Sequence, residues 1–280
     1  MRNGRPGSGR ARDMLLLVVG LLVIWEVGVR LLRVREFILP PPSMVFAEFL
    51  HAPRYFMMEA GYTLVVTMAG FAIALVAGVA SAVGIVYSRF LDRTLYTLLV
   101  AFNAVPKVAL APLFVIWLGT EAMPKIAIAT LIAIFPVLID TVHGLKSIDP
   151  DMINMARSNR ASALRILMKI RLPNALPGIF SGMKVGISLA LVGAIVGEFV
   201  AGDSGLGHAI LVAQGNFDTT RVFVALVLLG ALGTLLFNGV EWLERRALPW
   251  HASQRGQHAA TEGAKLPRSA NSVALGRRVA

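Results

Sequence analysis

Long apolar runs separated by short polar interludes set the rhythm of this chain. Runs from about Met14 to Leu32, Tyr62 to Tyr87, Leu95 to Leu118, just after Pro124 to Val142, just after Pro177 to Val200, and Val222 to Trp242 are each long enough to cross a bilayer as a helix. The pattern predicts an all-α, polytopic membrane helical bundle with about six transmembrane helices. Two runs carry small residues at four-residue spacing, Gly70, Ala74 and Gly78 in the second and Gly178, Gly182, Gly186, Ala190 and Ala194 in the fifth. In lipid such stripes let backbones approach, because packing replaces the missing hydrophobic drive.

The interruptions are as informative as the runs. No small-residue cleavage site follows the first run (13–33), so it reads as an uncleaved span, with Glu26 and Arg30 placed to pair one turn apart. The stiff connector Phe37 to Ser43 leads to an amphipathic helix through Phe46, Phe49 and Leu50, for which Ser43 is the expected cap. Pro106, Lys107 and Pro112 should break or kink the third run, and Pro136 the fourth. Lys107, Lys184 and Glu198 are ionisable groups inside apolar runs and therefore candidates for a solute pathway, although Lys107, closer to Arg93 than to the far end, reads first as snorkelling to the inner interface. Asp140, near the end of the fourth run, reads as interfacial. Ala201 to Gly207 is a glycine-rich turn.

The longest charged interlude, Ser147 to Pro173, reads as two short helices. Asp149 caps the first, with Pro150 at its opening position and Asp151 facing the positive end of its dipole. Ser162 caps the second, which should run to about Ile170 and end at Pro173. This is a surface element suited to a partner, or alternatively an interfacial loop held against anionic lipid.

Composition narrows the class. The chain has 280 residues, 56% of them hydrophobic and 15% charged, with a net charge of +11 and no cysteine. Its mean hydropathy is +0.69. Disulfide and thiolate chemistry are thereby excluded, and the basic residues are not interleaved with aromatics in the manner of a nucleic-acid surface. Lys and Arg concentrate in residues 1–12, in the 143–175 loop and in residues 251–280. Placing all three on the cytoplasmic side, with both termini inside, satisfies the positive-inside rule. The two terminal segments are polar enough to be disordered.

The 147–173 interlude resembles the cytoplasmic signature of permease subunits of ATP-binding cassette importers: Glu-Ala-Ala, three residues, Gly, nine residues, Ile, one residue, Leu-Pro. Leu172 and Pro173 end the match, Ile170 takes the Ile position, Arg160 the Gly position, and Asn154, Met155 and Ala156 the Glu-Ala-Ala. Two anchors differ. Asn154 replaces the Glu, and Arg160 replaces a Gly that would permit a positive-φ turn, a role Asn159 or Asn154 is expected to assume. Pro106 to Gly119 and Gly193 to Gly207 are similar to segments of the nitrate, sulfonate and taurine group, as is the run Leu39 to Ser43.

The resemblance implies the fold of type I importer permeases, with a permease domain over 59–243 and a coupling loop over 143–175. It implies two permease copies in the bacterial inner membrane, an external solute-binding protein, and a cytoplasmic ATPase that binds ATP and Mg. The permease itself binds no cofactor and no metal and is not an enzyme. Asp151, Asn154, Met155, Ala156, Arg157 and Arg160 would form the ATPase-docking helix, with Met155 and Ala156 in the ATPase cleft and the two arginines at its acidic rim. Gly178, Gly182 and Gly186 would pack helices. The cargo implied is a small organic anion of the sulfonate type, although relatives also carry pyrimidine vitamins and precursors. An ion-coupled carrier or channel using Lys107, Lys184 and Glu198 is the alternative, whereas an intramembrane enzyme lacks convergent catalytic groups.

Overall fold

A computed structural model describes residues 8–88 and 105–249, together with 90, 91, 94 and 101. The terminal segments 1–7 and 250–280, Arg89, Arg93, Asn103 and most of the first half of the expected third span lie outside the described residues. The described chain is helical throughout: α1 (Ser8–Leu31), α2 (Pro42–His51), α3 (Pro53–Tyr87), a 3-10 turn (Lys107–Leu110), α4 (Ala111–Leu118), α5 (Ala122–Lys146), α6 (Pro150–Ser158), α7 (Ala163–Ile166), α8 (Leu172–Val200), α9 (Leu206–Gly215) and α10 (Thr219–Ala247).

Among the described residues, four stretches are long and apolar enough to cross a membrane: Pro53–Tyr87, Ala122–Lys146, Ala163–Val200 and Thr219–Ala247. α3 begins nine residues earlier than Tyr62, because Pro53 sits in the first turn, where its missing N–H is harmless. At 35 residues it is about 50 Å long, so it projects beyond the hydrocarbon. Pro173 does not end the helix before it. It too falls in a first turn, that of α8, and a π-helical turn over Leu167–Arg171 joins α7 to α8. α5 runs unbroken past Pro136 and α8 past Pro177.

Three further expectations change. Pro41, not Ser43, is the N-cap of α2, while the Ser43 hydroxyl donates to Glu26 at 2.8 Å and its backbone N–H donates to the same carboxylate at 3.0 Å. Glu26 also holds Arg30. α1 starts at Ser8, inside the segment read as disordered, since Ala11 and Arg12 are good helix formers. The third span, where described, is a 3-10 turn followed by the short α4, with Pro112 in its first turn.

The core is α3, α5 and α8. Phe71, Ala74, Ala133, Val137, Ile187 and Ala190 are buried together where the three meet, and α10 closes the cluster with Leu236 and Val240. A Cβ on Gly70 would stand 2.6 Å from Ala129 Cβ, and one on Gly78 3.0 Å from Val137 Cγ1. Only glycine admits contact this close between α3 and α5.

Candidate functional site

At one end of the bundle, α6 forms a foot. Asp149 accepts the Asp151 N–H at 2.9 Å, which satisfies one orphan donor of the helix start. At the other end the Ala161 N–H bonds Ala156 O at 3.0 Å and the Arg160 N–H bonds Arg157 O at 2.9 Å. This pair is a Schellman motif, whose C′ residue must be left-handed. Arg160 supplies that conformation itself, with φ +55°. Asn159, expected to take the turn, has φ −82°, and its side-chain amide instead donates to Met155 O at 2.9 Å. The glycine-like backbone is therefore present without the glycine.

The outward face of α6 is apolar and adaptable. Met155 is 70% exposed and Met152 55%, with Asp151 and Asn154 beside them. Ile153 and Ala156 are half-buried. The Ala156 carbonyl serves the cap, and Met152, which the signature does not mark, stands with Met155 and Ala156 at i, i+3 and i+4 on one face. Arg157 and Arg160 are both exposed, and Arg157 borders a groove with Ile153, Ile166 and Arg171.

The foot is fastened to the core by polar bonds. The Asn174 amide donates to Ser147 Oγ at 3.2 Å, Arg171 to Leu145 O at 3.2 Å, and the Tyr87 hydroxyl to Ala163 O at 3.0 Å. Above it α5 and α8 lie nearly backbone to backbone. Cβ atoms placed on Gly144, Gly178, Gly182 and Gly193 would reach Ala175 O at 2.9 Å, Asp140 O at 2.7 Å, Pro136 O at 2.9 Å and Ala129 Cα at 2.6 Å; one on Gly186 would reach Val137 Cγ2 at 2.8 Å. This rail extends to Gly197 against Lys125 Cα, at 2.7 Å.

At the far end of the rail sits a buried clamp. Glu198 accepts the Thr63 hydroxyl at 2.8 Å and the Gly207 N–H at 2.7 Å, and Thr63 accepts the Leu206 N–H at 2.8 Å. Glu59 accepts the Gly205 N–H. The first-turn donors of α9 are thus satisfied by α3 and α8 instead of a local cap. Lys125, wholly buried, pairs with Asp203 and donates to the Tyr62 hydroxyl at 3.1 Å. The Lys125 ammonium holds the loop carboxyl of Asp203 below the usual carboxylate range.

Lys107, Lys184 and Glu198 sit in three different surroundings. Lys107 stands 4.4 Å above the Phe135 ring in a cavity of about 640 Å³, whose lining also includes Pro106, Ile132, Asp140 and Leu189. Lys184 bonds Glu244 at 2.7 Å and so ties α8 to α10. Glu198 belongs to the clamp. Lys125, Thr63, Glu59 and Asp203 were missed by sequence reasoning. A lysine at the opening of an apolar run was the available signal.

Comparison with known proteins places this geometry. Residues 70–249 match the family described as the binding-protein-dependent transport system inner membrane component. The riboflavin transport system permease protein RibX of Chloroflexus aurantiacus is 38% identical over 89% of this chain and 92% of its own length. The formylaminopyrimidine transport permease protein ThiX of Halalkalibacterium halodurans is 30% identical over 88% and 99%. The putative aliphatic sulfonates transport permease protein SsuC of Escherichia coli is 31% identical over 84% and 90%. Among solved structures, an inward-facing MetNI methionine ABC transporter superposes with a TM-score of 0.63 at 21% identity, over 70% of this chain and 97% of that one, which shows the type I importer permease fold.

Proposed function

The chain belongs to the family of inner-membrane components of binding-protein-dependent transport systems, and from that premise we propose how this permease couples a partner ATPase to solute movement. As a permease of an ATP-binding cassette importer it is a transport subunit, not an enzyme, and ATP hydrolysis resides in a separate chain. A solute-binding protein and an ATPase are its family partners.

In our reading the ATPase seats α6. Met152 and Met155 enter its cleft, since exposed thioethers repack against varied surfaces, and Arg157 and Arg160 meet acids at the rim. Asp151 and Asn154 flank the contact. The observation that carries this reading is the Schellman cap at Arg160, which preserves the foot's backbone although two signature residues have changed. ATP and Mg act on the partner. Closure of two ATPases beneath two permease copies pushes on α6, and the glycine rail carries α5 and α8 as one body. The foot and both termini face the cytoplasm of a bacterial cell, in keeping with the clustered Lys and Arg.

For the cargo, the relation to the sulfonate permease supports a small organic anion of the sulfonate, nitrate or taurine type, with Lys107 as the attracting charge. A second reading, a flat nitrogen heterocycle, is favoured by the Phe135 ring beside Lys107 and by the riboflavin and formylaminopyrimidine permeases among the relatives. Met155→Asp in the assembled importer tests the docking. It should abolish solute-stimulated ATP hydrolysis while the permease melts as before; retained stimulation would remove the docking.

A further inference from the structure

Asp140 is the one group that borders both large cavities on the α5–α8 face. It lines the 640 Å³ cavity that holds Lys107 and Phe135, and also a second cavity of about 510 Å³ toward the foot. The second is lined by His143 and Ser147 of the α5 end and by Asn174 and Ser181 of α8. Asp140, His143 and Ser147 recur at i, i+3 and i+7, and Asn174 and Ser181 at i and i+7, so two apolar helices present one polar face. Small residues keep it open, with Gly144, Pro177 and Gly178 completing the wall.

Asp140 is half-buried within a span, and among the described residues its carboxylate has no hydrogen-bond or ion-pair partner. An acid that lines two adjoining cavities between apolar helices is placed to meet a solute that passes from one to the other. We propose that Asp140 is the specificity-determining residue of the solute pathway, selecting cargo that carries a positive charge or an N–H donor. This rests on the reading that the α5–α8 face lines that pathway. A solute that leaves Lys107 with only negative oxygens, such as nitrate or an alkyl sulfonate, meets like charge at the junction of the cavities. A zwitterion such as taurine, or a heterocycle bearing N–H groups, offers Asp140 a donor there. The inference therefore divides the cargo classes left open above.

The absence of native cysteine allows a clean test. Ser181→Cys places a single thiol in the second cavity of the full importer in membrane vesicles. Its rate of modification by a trimethylammonium methanethiosulfonate is compared with that of the sulfonate-bearing reagent, with Asp140 intact and in the Asp140→Asn background. With each rate divided by that of the same reagent on a free thiol in solution, the cationic reagent should keep about a tenfold preference, and that residual preference should fall toward unity with Asn, as expected for one nearby charge in a partly screened site. A ratio unchanged by Asp140→Asn overturns the proposal and leaves the pathway standing. Failure of both reagents, with and without ATP, overturns the pathway reading and the proposal with it. Uptake of taurine against ethanesulfonate by the two variants supplies the second measurement. A preference for taurine that Asp140→Asn erases supports the proposal, and an unaltered preference opposes it.

Discussion

The two ends of the α5–α8 rail solve the same problem, the orphan N–H and C=O groups of a short helix, by opposite means. At the foot, α6 caps itself: Asp149 serves its start and a Schellman turn its finish, all between Asp149 and Ala161. At the clamp, the start of α9 has no local cap, and Glu59, Thr63 and Glu198 reach it from two other helices. The foot should consequently tolerate substitution at its signature positions better than the clamp tolerates loss of a member. A self-capped element can also move as a unit against a partner. An element capped by its neighbours moves only with them.

That contrast can be broken most sharply at the clamp. Glu198→Ala would leave the Gly207 N–H buried without its acceptor and the Thr63 hydroxyl with only Glu59 O to donate to, and a loss of about 2–3 kcal/mol is expected, read as a lower melting temperature of the purified protein. Glu198→Gln, which keeps an acceptor, should lose clearly less. In the rail between the two ends, Gly193→Ala would drive a methyl into the Ala129 backbone at 2.6 Å; helix separation should lower stability by about 1–3 kcal/mol and slow uptake in vesicles.

The foot should respond in the other direction. Arg160→Gly removes the left-handed strain of a side-chain-bearing residue and should raise stability by about 0.5–1 kcal/mol, with ATPase affinity reporting whether the guanidinium was also a contact. The smallest effect is electrostatic. Because Lys125 lowers the Asp203 pKa in the folded state, the pair contributes stability above the unfolded carboxyl value of about 4 and loses it as pH falls below that. With Asp203 59% exposed, the pH-dependent part should stay under about 1 kcal/mol and should vanish in Asp203→Asn, as acid melts of the two proteins would show.

Much of the site was legible before any coordinates. The caps at Asp149 and Ser162 follow from residue type and position, and so do the glycine stripe of α8 and the charged interlude as an exposed foot. The reading failed where a local rule was asked to decide a tertiary outcome. By residue type Pro173 signals a stop, yet a proline in a first turn starts a helix as readily as it ends one, and the π turn before it decides which. Met152, which the motif does not mark, lies one turn before Ala156 and is exposed on the same side of α6 as Met155.

The length and periodicity of the apolar runs by themselves determined that this chain is a membrane-embedded helical bundle with a polar foot, because a continuous apolar run of about twenty residues satisfies its backbone in a bilayer as a helix, whereas barrel strands are half that length and alternate. Tertiary structure alone decided which buried charges face one another. Lys125 finds Asp203, Lys184 finds Glu244, and Asp140 is left open to a cavity, since partners 60 and 78 residues apart leave no periodic trace in sequence and meet only when close-packed glycines fix the register of the helices.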